Sequence, residues 1–502
     1  MALRRCSIES CGNPADRSIG SCMICAKHLC GDHLRAADAH TCPSVDRDPE
    51  AYYAALGAAN KHHLEALLRK INVKALQSAA SRARQDIPCR IPAFADHIND
   101  PATRTAVVSS QCGGQNCHVD IEFADGVIWI ARIRLEHPLL PPPGVQARIF
   151  MSEVATFEFL ARTRVPAPRV YGYELEAPGN FVGTSYILME KLAGKPLDWN
   201  SANAEQRARV MEQLADVYLE LERHPIPLAG SLFPLSSGVA ELGGPRVQVG
   251  IFAQAPCFET PEQDGGLGPF ETLEAAYTAL IRQQLQAIAN HEISRLPVDN
   301  YLSFLWQLNA LSELVAESAS RTGPFYLKHF DDKGDHILID DDYNITGLID
   351  WEFASAEAKE LAFSSPCMMW SVDEFFDGDN SLSEDEVRFA AIFEQRGRRD
   401  LGEMVRGGRR WQRYLLFLGG IPRDMAEFEA LFQALRKSFV VGEEESAAIS
   451  SYADWKAGAL TGFAKGDAQL QALMQDERGG LGGGKAERRK ATKPINGPTM
   501  LP

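Results

Sequence analysis

The run Lys328-His329-Phe330-Asp331-Asp332-Lys333-Gly334-Asp335-His336-Ile337-Leu338-Ile339-Asp340, followed by Ile345-Thr346-Gly347-Leu348-Ile349-Asp350-Trp351-Glu352, constrains this chain more than any other stretch. It sets a His-x-Asp step, a polar residue five positions past that Asp, and a second Asp behind an apolar strand. Two carboxylates on such a frame suit phosphoryl transfer. One takes the proton of an attacking hydroxyl, and the other grips a Mg²⁺ that bridges the phosphates of ATP. A lone His-x-Asp step carries little information, and residues 340–344 are plainly a turn of the kind that collects Asp. The distance to Ile349-Asp350-Trp351, with strands between, is what makes the pattern specific.

Asp331 is the candidate general base, because such a group must sit by the acceptor hydroxyl and stay ionised. Lys333 is the candidate to neutralise charge on the transferring group, and Asp350 to hold the metal. Upstream parts agree. Cys112-Gly113-Gly114-Gln115 precedes an alternating strand, where a glycine-rich hairpin through Gly113 and Gly114 would cover phosphates. The next strand carries Arg132 and Arg134 on one face, and either suits the α/β-phosphates. Glu153, on the helix that follows, is the matching ion-pair partner. Met189-Glu190-Lys191-Leu192 reads as a hinge whose backbone at Glu190 and Leu192 binds adenine.

The 502 residues are too many for one simple core. From about residue 88 the pattern is strand-like. Val119, Ile121 and Phe123 alternate with polar residues, Asp125-Gly126 signals a tight hairpin, and 127–134 is the returning strand. Phe150, Val154 and Phe157 recur at helical spacing, and 185–191 is a further apolar strand. Beyond it the chain reads as mostly helical, with an amphipathic helix over 204–224 and a capping box at Ser383 and Glu386. A small antiparallel sheet followed by a large helical segment gives an α+β, two-lobed kinase plan, with an N-lobe over 88–192 and a C-lobe over 193–466. Residues 46–87 are a helical connector, with Leu64, Leu67, Leu68 and Ile71 at helical spacing. Residues 467–502, Gly-rich and then basic, are expected to be a disordered tail.

These marks together resemble the aminoglycoside phosphotransferase (choline kinase-like) family, fungal-type branch, over residues 88 to about 465. They are Trp129-Ile130-Ala131-Arg132, Ser152-Glu153-Val154-Ala155, Val165-Pro166-Ala167-Pro168, the Tyr186 to Leu197 run, the His329 loop and Gly347-Leu348-Ile349-Asp350-Trp351-Glu352. The resemblance implies a protein-kinase-like fold, MgATP, and γ-phosphoryl transfer to a hydroxyl of a small molecule. It assigns Asp331 as base, Arg132 and Glu153 as the phosphate-anchoring pair, and Asp350 as the metal carboxylate. Two positions depart from the family. His336 stands where an Asn is usual, and imidazole is a poor ligand for Mg²⁺. Phe330 replaces the usual Gly. Asp335 offers a substitute ligand. Both departures bear on turnover more than on nucleotide binding, so a catalytically impaired pseudokinase remains the alternative to an active enzyme. A protein kinase is disfavoured, since no Ala-Pro-Glu segment follows Asp350.

Residues 1–45 form a separate module. Six of the eleven cysteines lie in it, in the order Cys6, Cys11, Cys22, Cys25, Cys30, His33, His40, Cys42. Eight such ligands bind two Zn²⁺ tetrahedrally, and a segment this short needs metal to fold. The spacing resembles the AN-one type zinc finger, which implies that Cys6, Cys11, Cys30 and His33 share one zinc, and Cys22, Cys25, His40 and Cys42 the other. With every position filled by protein, both zincs are structural. Five basic and four acidic residues in 1–42 nearly cancel, which points to protein docking and away from a DNA grip.

A net charge of −16 argues against nucleic acid or anionic membrane as the main partner. No apolar run approaches the ~20 residues that span a bilayer. The first residues, Met1-Ala2-Leu3-Arg4-Arg5-Cys6, do not read as a secretory signal. The expected setting is cytoplasmic with reduced thiols, the nucleus left open.

Overall fold

The computed structural model describes residues 3–36, 38–97, 99–235, 247–253, 266–419, 422–440 and 448–480. The fold is α+β and kinase-like. An antiparallel five-stranded sheet is ordered β1 (Cys89–Arg90), β2 (Asn116–Phe123), β3 (Ile128–Arg134), β5 (Tyr186–Glu190) and β4 (Val170–Glu174). The β2–β3 hairpin turns where the sequence places it. Gly126 takes φ 86 and donates to the Phe123 carbonyl at 2.9 Å, a conformation a Cβ would oppose.

The period-2 pattern of β2 decides which face does what. Cys117, Val119, Ile121 and Phe123 are buried against the connector helices Pro49–Lys70 and Val73–Ala83 through Leu64, Leu67, Leu68, Ile71 and Leu76. The connector is therefore a brace on the outer face of the sheet. Each buried leucine contributes about 1.5–3 kcal/mol. The opposite face presents His118 opposite Arg132, and looks toward the helix Pro143–Leu160 and the large lobe.

Three differences from the expected layout matter. The segment ahead of β2 is not a strand. After the two residues of β1 it runs through the short helices Pro92–Ala95 and Pro101–Ser109. Asp100 caps the second of these, accepting from the Thr103 N–H, and a proline follows at the first helical position. The glycine-rich roof is thus a single tight turn, in which the Gly113 N–H donates to the Asn116 carbonyl at 2.8 Å between the bridged residues Cys112 and Cys117. The tail expected to be disordered from 467 begins with a helix, Ala468–Gly480, whose Leu470 and Leu473 are buried. Leucine and methionine at helical spacing order it before the glycine run starts; residues 481–502 lie outside the described residues.

The C-lobe is built on the helices Ala204–Glu222, Leu273–Ala289, Pro297–Ala316, Glu384–Gln395 and Arg399–Gly419, packed into one apolar core. The capping box at Ser383 and Glu386 is formed. Among the described residues no helix is long and apolar enough to cross a membrane.

Candidate active site

The His329 loop leaves the strand Tyr326–Lys328 and returns into the hairpin Ile337–Ile339 and Ile345–Leu348, which delivers Asp350. The loop is pinned from beneath. Lys328 Nζ donates to Asp332 Oδ2 at 2.7 Å, and the Cys367 N–H donates to Asp332 Oδ1 at 2.8 Å. Both groups of this pair are buried, so removing either leaves an uncompensated charge. His329 Nε2 donates to the Ile349 carbonyl at 2.9 Å, tying the loop to the residue before Asp350. Phe330, in place of a glycine, is buried and belongs to the main core.

Asp331 is partly exposed and accepts from Lys333 Nζ at 2.9 Å. Burial pushes Asp331 above the usual carboxylate range, Lys333 pulls it down, and the charge of Asp350 pushes it up again. Lys333 in turn feels Asp331, Asp335 and Asp350, which together hold its ammonium above its ordinary value against the effect of burial. The two acids and the lysine therefore act on one space. Asp335, by contrast, is an exposed partner of Lys333 at 3.6 Å and does not join the acidic group around Asp350.

That acidic group is built on β3. Arg132 Nη2 lies 3.0 Å from Glu153 Oε1, 2.6 Å from Asp350 Oδ1 and 3.1 Å from Glu352 Oε2. Arg134 pairs instead with Glu352 and reaches Gln115 of the roof turn. Of the two arginines, Arg132 is the one in contact with both Glu153 and Asp350. Glu153, Asp350 and Glu352 each bring a carboxylate oxygen within 4.8 Å of the others. Burial pushes Glu153 up, Arg132 opposes this, and Glu352 and Asp350 add to the rise. For Asp350 burial also raises, but Arg132 outweighs it and holds the carboxyl below its usual range. Asp350 takes a left-handed backbone, φ 62, a costly conformation for a residue with a Cβ and one found at functional sites. The donor set of hard oxygens fits Mg²⁺.

His336 does not join this group. Its ring is buried, tilted against the His329 ring with centroids 4.4 Å apart, and burial pushes its pKa well down. Nδ1 accepts from the Gly334 N–H at 3.4 Å. In a neutral imidazole the proton then sits on Nε2, and no lone pair is left for a metal. The expected cofactor contact through His336 is therefore corrected.

At the hinge, the Glu190 N–H donates to the Arg169 carbonyl at 2.8 Å within the sheet. Leu192 lies against Gly347, where an added Cβ would stand 2.4 Å from Leu192 Cδ1. A side chain at position 347 would push the Leu192 side chain aside.

Four residues around the site were assigned no role from sequence. Glu352 joins the lobes, accepting from Asn116 Nδ2 at 2.8 Å as well as from both arginines. Burial and Arg132 push His118 down to about 4; it is neutral, and its Nε2 accepts from Arg132 Nη1 at 3.0 Å. The Lys328–Asp332 pair was hidden among five charged residues between 328 and 336. Only the period-2 register of β2 against β3 could have flagged His118.

In the amino-terminal module the eight Cys and His residues fall into the two expected groups, each with ligand atoms within 4.8 Å of one another. His33 Nδ1 is 3.4 Å from Cys6 Sγ and 3.2 Å from Cys30 Sγ, and the Cys11 and Cys30 sulfurs are 3.9 Å apart. Tetrahedral Zn²⁺ with N and S ligands would set these edges at about 3.5–3.8 Å. His40 Nε2 is buried with no hydrogen-bond partner, as a ligand nitrogen would be. Burial and the neighbouring Cys25 push the Cys42 thiol up to about 12, so these thiols cannot ionise together unless a cation joins them. Both groups fit zinc. His28, the remaining histidine of the module, pairs with Ser21 at 2.9 Å and lies outside both.

Residues 126–357 match the model of the phosphotransferase enzyme family. Two curated Aspergillus fumigatus relatives, both subtelomeric hrmA-associated cluster proteins, are 36% identical over 85 residues; the match spans 16% of this chain and 16% of their length. A solved Ralstonia eutropha structure described as an aminoglycoside phosphotransferase is 15% identical and covers 74% of this chain and 96% of its own, with a TM-score of 0.40. A thermostable aminoglycoside phosphotransferase APH(4)-Ia, solved with AMP-PNP and hygromycin B, is 15% identical over 68% of this chain and 93% of its own, with a TM-score of 0.37. The Plasmodium vivax ethanolamine kinase is 11% identical over 66% and 81%, with a TM-score of 0.35.

Proposed function

We propose, for a chain whose residues 126–357 match the model of the phosphotransferase enzyme family, transfer of the γ-phosphoryl group of ATP to a hydroxyl of a small molecule. The observation that carries this reading is the His329 bond to the Ile349 carbonyl, which ties the loop holding the Asp331–Lys333 pair to the residue before Asp350, backed by the Arg132–Glu153 pair. Asp331 accepts the acceptor's proton. Burial raises its pKa, which makes it a stronger base than an exposed aspartate. Lys333 stabilises charge on the group in transit. Glu153 orients Arg132 toward the phosphates, with the Gly113 and Gly114 turn above them. The Glu190 carbonyl and the Leu192 N–H hold adenine. Magnesium, gripped by Asp350, would neutralise the phosphate oxygens. The two zincs are structural, since every ligand is a protein side chain.

A pseudokinase reading has one observation in its favour: His336 withholds both ring nitrogens from the metal. A screen of hydroxyl-bearing metabolites for ADP release, run beside Asp331→Asn, separates the two. Release that needs both an acceptor and Asp331 supports the enzyme. If no acceptor raises ADP release while MgATP still shifts the melting temperature, the lobe binds nucleotide without turning it over. A melting temperature unmoved by MgATP removes nucleotide binding altogether.

A further inference from the structure

The amino-terminal module is held against both lobes of the kinase-like region, through residues that are not its metal ligands. On the large lobe the contact is the turn between the helices Leu273–Ala289 and Pro297–Ala316. Arg17 Nη2 pairs with Glu292 Oε2 at 2.7 Å, and the two side chains are only 6% and 1% exposed. The Arg17 N–H donates to the Glu292 carbonyl at 2.8 Å, and the Leu3 N–H to Glu292 Oε2 at 3.1 Å. Asp16 Oδ2 accepts from both the N–H and the hydroxyl of Ser294, at 2.7 and 2.6 Å. Its other oxygen caps the module's own loop at the Ser18 and Ile19 N–H groups. Gly31 lies so close that an added Cβ would stand 2.6 Å from Ser294 Cβ. On the small lobe, Arg4 donates to the Leu140 carbonyl.

Leu140 stands in the loop just ahead of the helix that carries Glu153, and His137 of that loop hydrogen-bonds the Gly114 carbonyl of the roof turn at 3.2 Å. One small module thus touches the C-lobe directly, and through Leu140 the parts of the N-lobe that frame the nucleotide site. A buried ion pair and a buried two-bond carboxylate are not features of a mobile arm, because such groups are costly unless fully matched. They occupy Asp16 and Arg17, in the loop between Cys11 and Cys22, which is too short to hold its shape without ordered ligands at both ends.

We propose that the two-zinc module is an intramolecular clamp. Its loop 12–21 grips the turn at Glu292 and Ser294, its Arg4 grips Leu140, and zinc occupancy thereby fixes one lobe against the other. This rests on the two-zinc reading of the eight ligands and is independent of whether the site turns over.

The test is hydrogen exchange on the full chain, with zinc counted separately by a colorimetric chelator. Arg17→Glu should keep two zincs per chain yet speed exchange on the order of a hundredfold at the amides of Leu139, Leu140 and 144–146, and in residues 287–296. The exchanged pair Arg17→Glu with Glu292→Arg should restore protection. Gly31→Ala tests the same contact by sterics alone and should open the same two patches. Unchanged exchange in both Arg17→Glu and Gly31→Ala overturns the clamp. Protection of both patches in a chain that carries no zinc overturns the role of the metal, whatever the activity.

Discussion

Arg132 Nη2 stands 2.6 Å from Asp350 Oδ1, so the cation of the third strand and an acid of the large lobe are paired directly. Glu153 and Glu352 complete the group, three carboxylates around one buried guanidinium with Arg134 at its edge. Arg132→Met should therefore destabilise the fold by about 3–5 kcal/mol, since it strands buried carboxylates. Glu153→Gln should cost about 1 kcal/mol, because burial already disfavours the charge on Glu153 and Arg132 keeps two acids. Urea denaturation of the two variants checks the order. A larger loss in Glu153→Gln would mean that Glu153, and not Arg132, is the keystone.

The pH dependence of turnover follows from Asp331. Its folded pKa is raised above that of the unfolded chain, chiefly by burial. The ionised acid thus costs stability above that pKa, and the cost is relieved as pH falls through it. Catalysis needs the ionised form, so Asp331-dependent ADP release should fall away at a pH above the ordinary aspartate value. Lys333 lowers this pKa. Lys333→Ala should shift the acid limb of kcat/KM to higher pH, as well as reduce the plateau about 10²–10³-fold if the ammonium meets the transferring group. An acid limb that stays put would show that another group is being titrated.

Much of this site was legible because the chemistry fixes short-range spacing. The His329 to Asp350 frame, Arg132 on its strand and Glu153 on its helix each need only local periodicity. The two ligand sets are likewise grouped as the finger's spacing implies. What stayed hidden depends on contacts far apart in sequence. Arg17 and Glu292 carry no local pattern that links them, yet they form a buried pair 275 residues apart. Glu352 sits two residues past a recognised acid, but its role depends on Asn116 and Arg134 arriving from another lobe. The glycine-rich roof was read as a hairpin because Gly113 and Gly114 are neutral about what precedes them, and the cap at Asp100 made that a helix.

The metal sites are separable. The intact chain should carry two zincs, and Cys22→Ser or Cys6→Ser should each leave one, because the groups share no ligand. Stripping both with a strong chelator should unfold residues 1–45 while the helical core of the large lobe stays folded, read as proteolysis confined to the amino terminus. Binding free energy in such sites is folding free energy, so a chelated chain whose first 45 residues resist protease would show that the module folds without metal.

His336→Asn separates a weak enzyme from an inert one. The imidazole is buried, its Nδ1 faces the Gly334 N–H, and the ring is packed on His329. An asparagine in its place offers a carbonyl oxygen, the donor that Mg²⁺ prefers. One added ligand that tightens in the transition state should raise Asp331-dependent ADP release about tenfold, the rate equivalent of ~1.4 kcal/mol. The smaller side chain should also cost about 1–2 kcal/mol of stability through the space it leaves beside His329. The gain should vanish in the double variant with Asp350→Ala, since an amide oxygen alone cannot hold the metal. If His336→Asn lowers stability as expected but leaves ADP release unchanged, the histidine is not what limits turnover, and the Arg132–Asp350 pair becomes the barrier to test next.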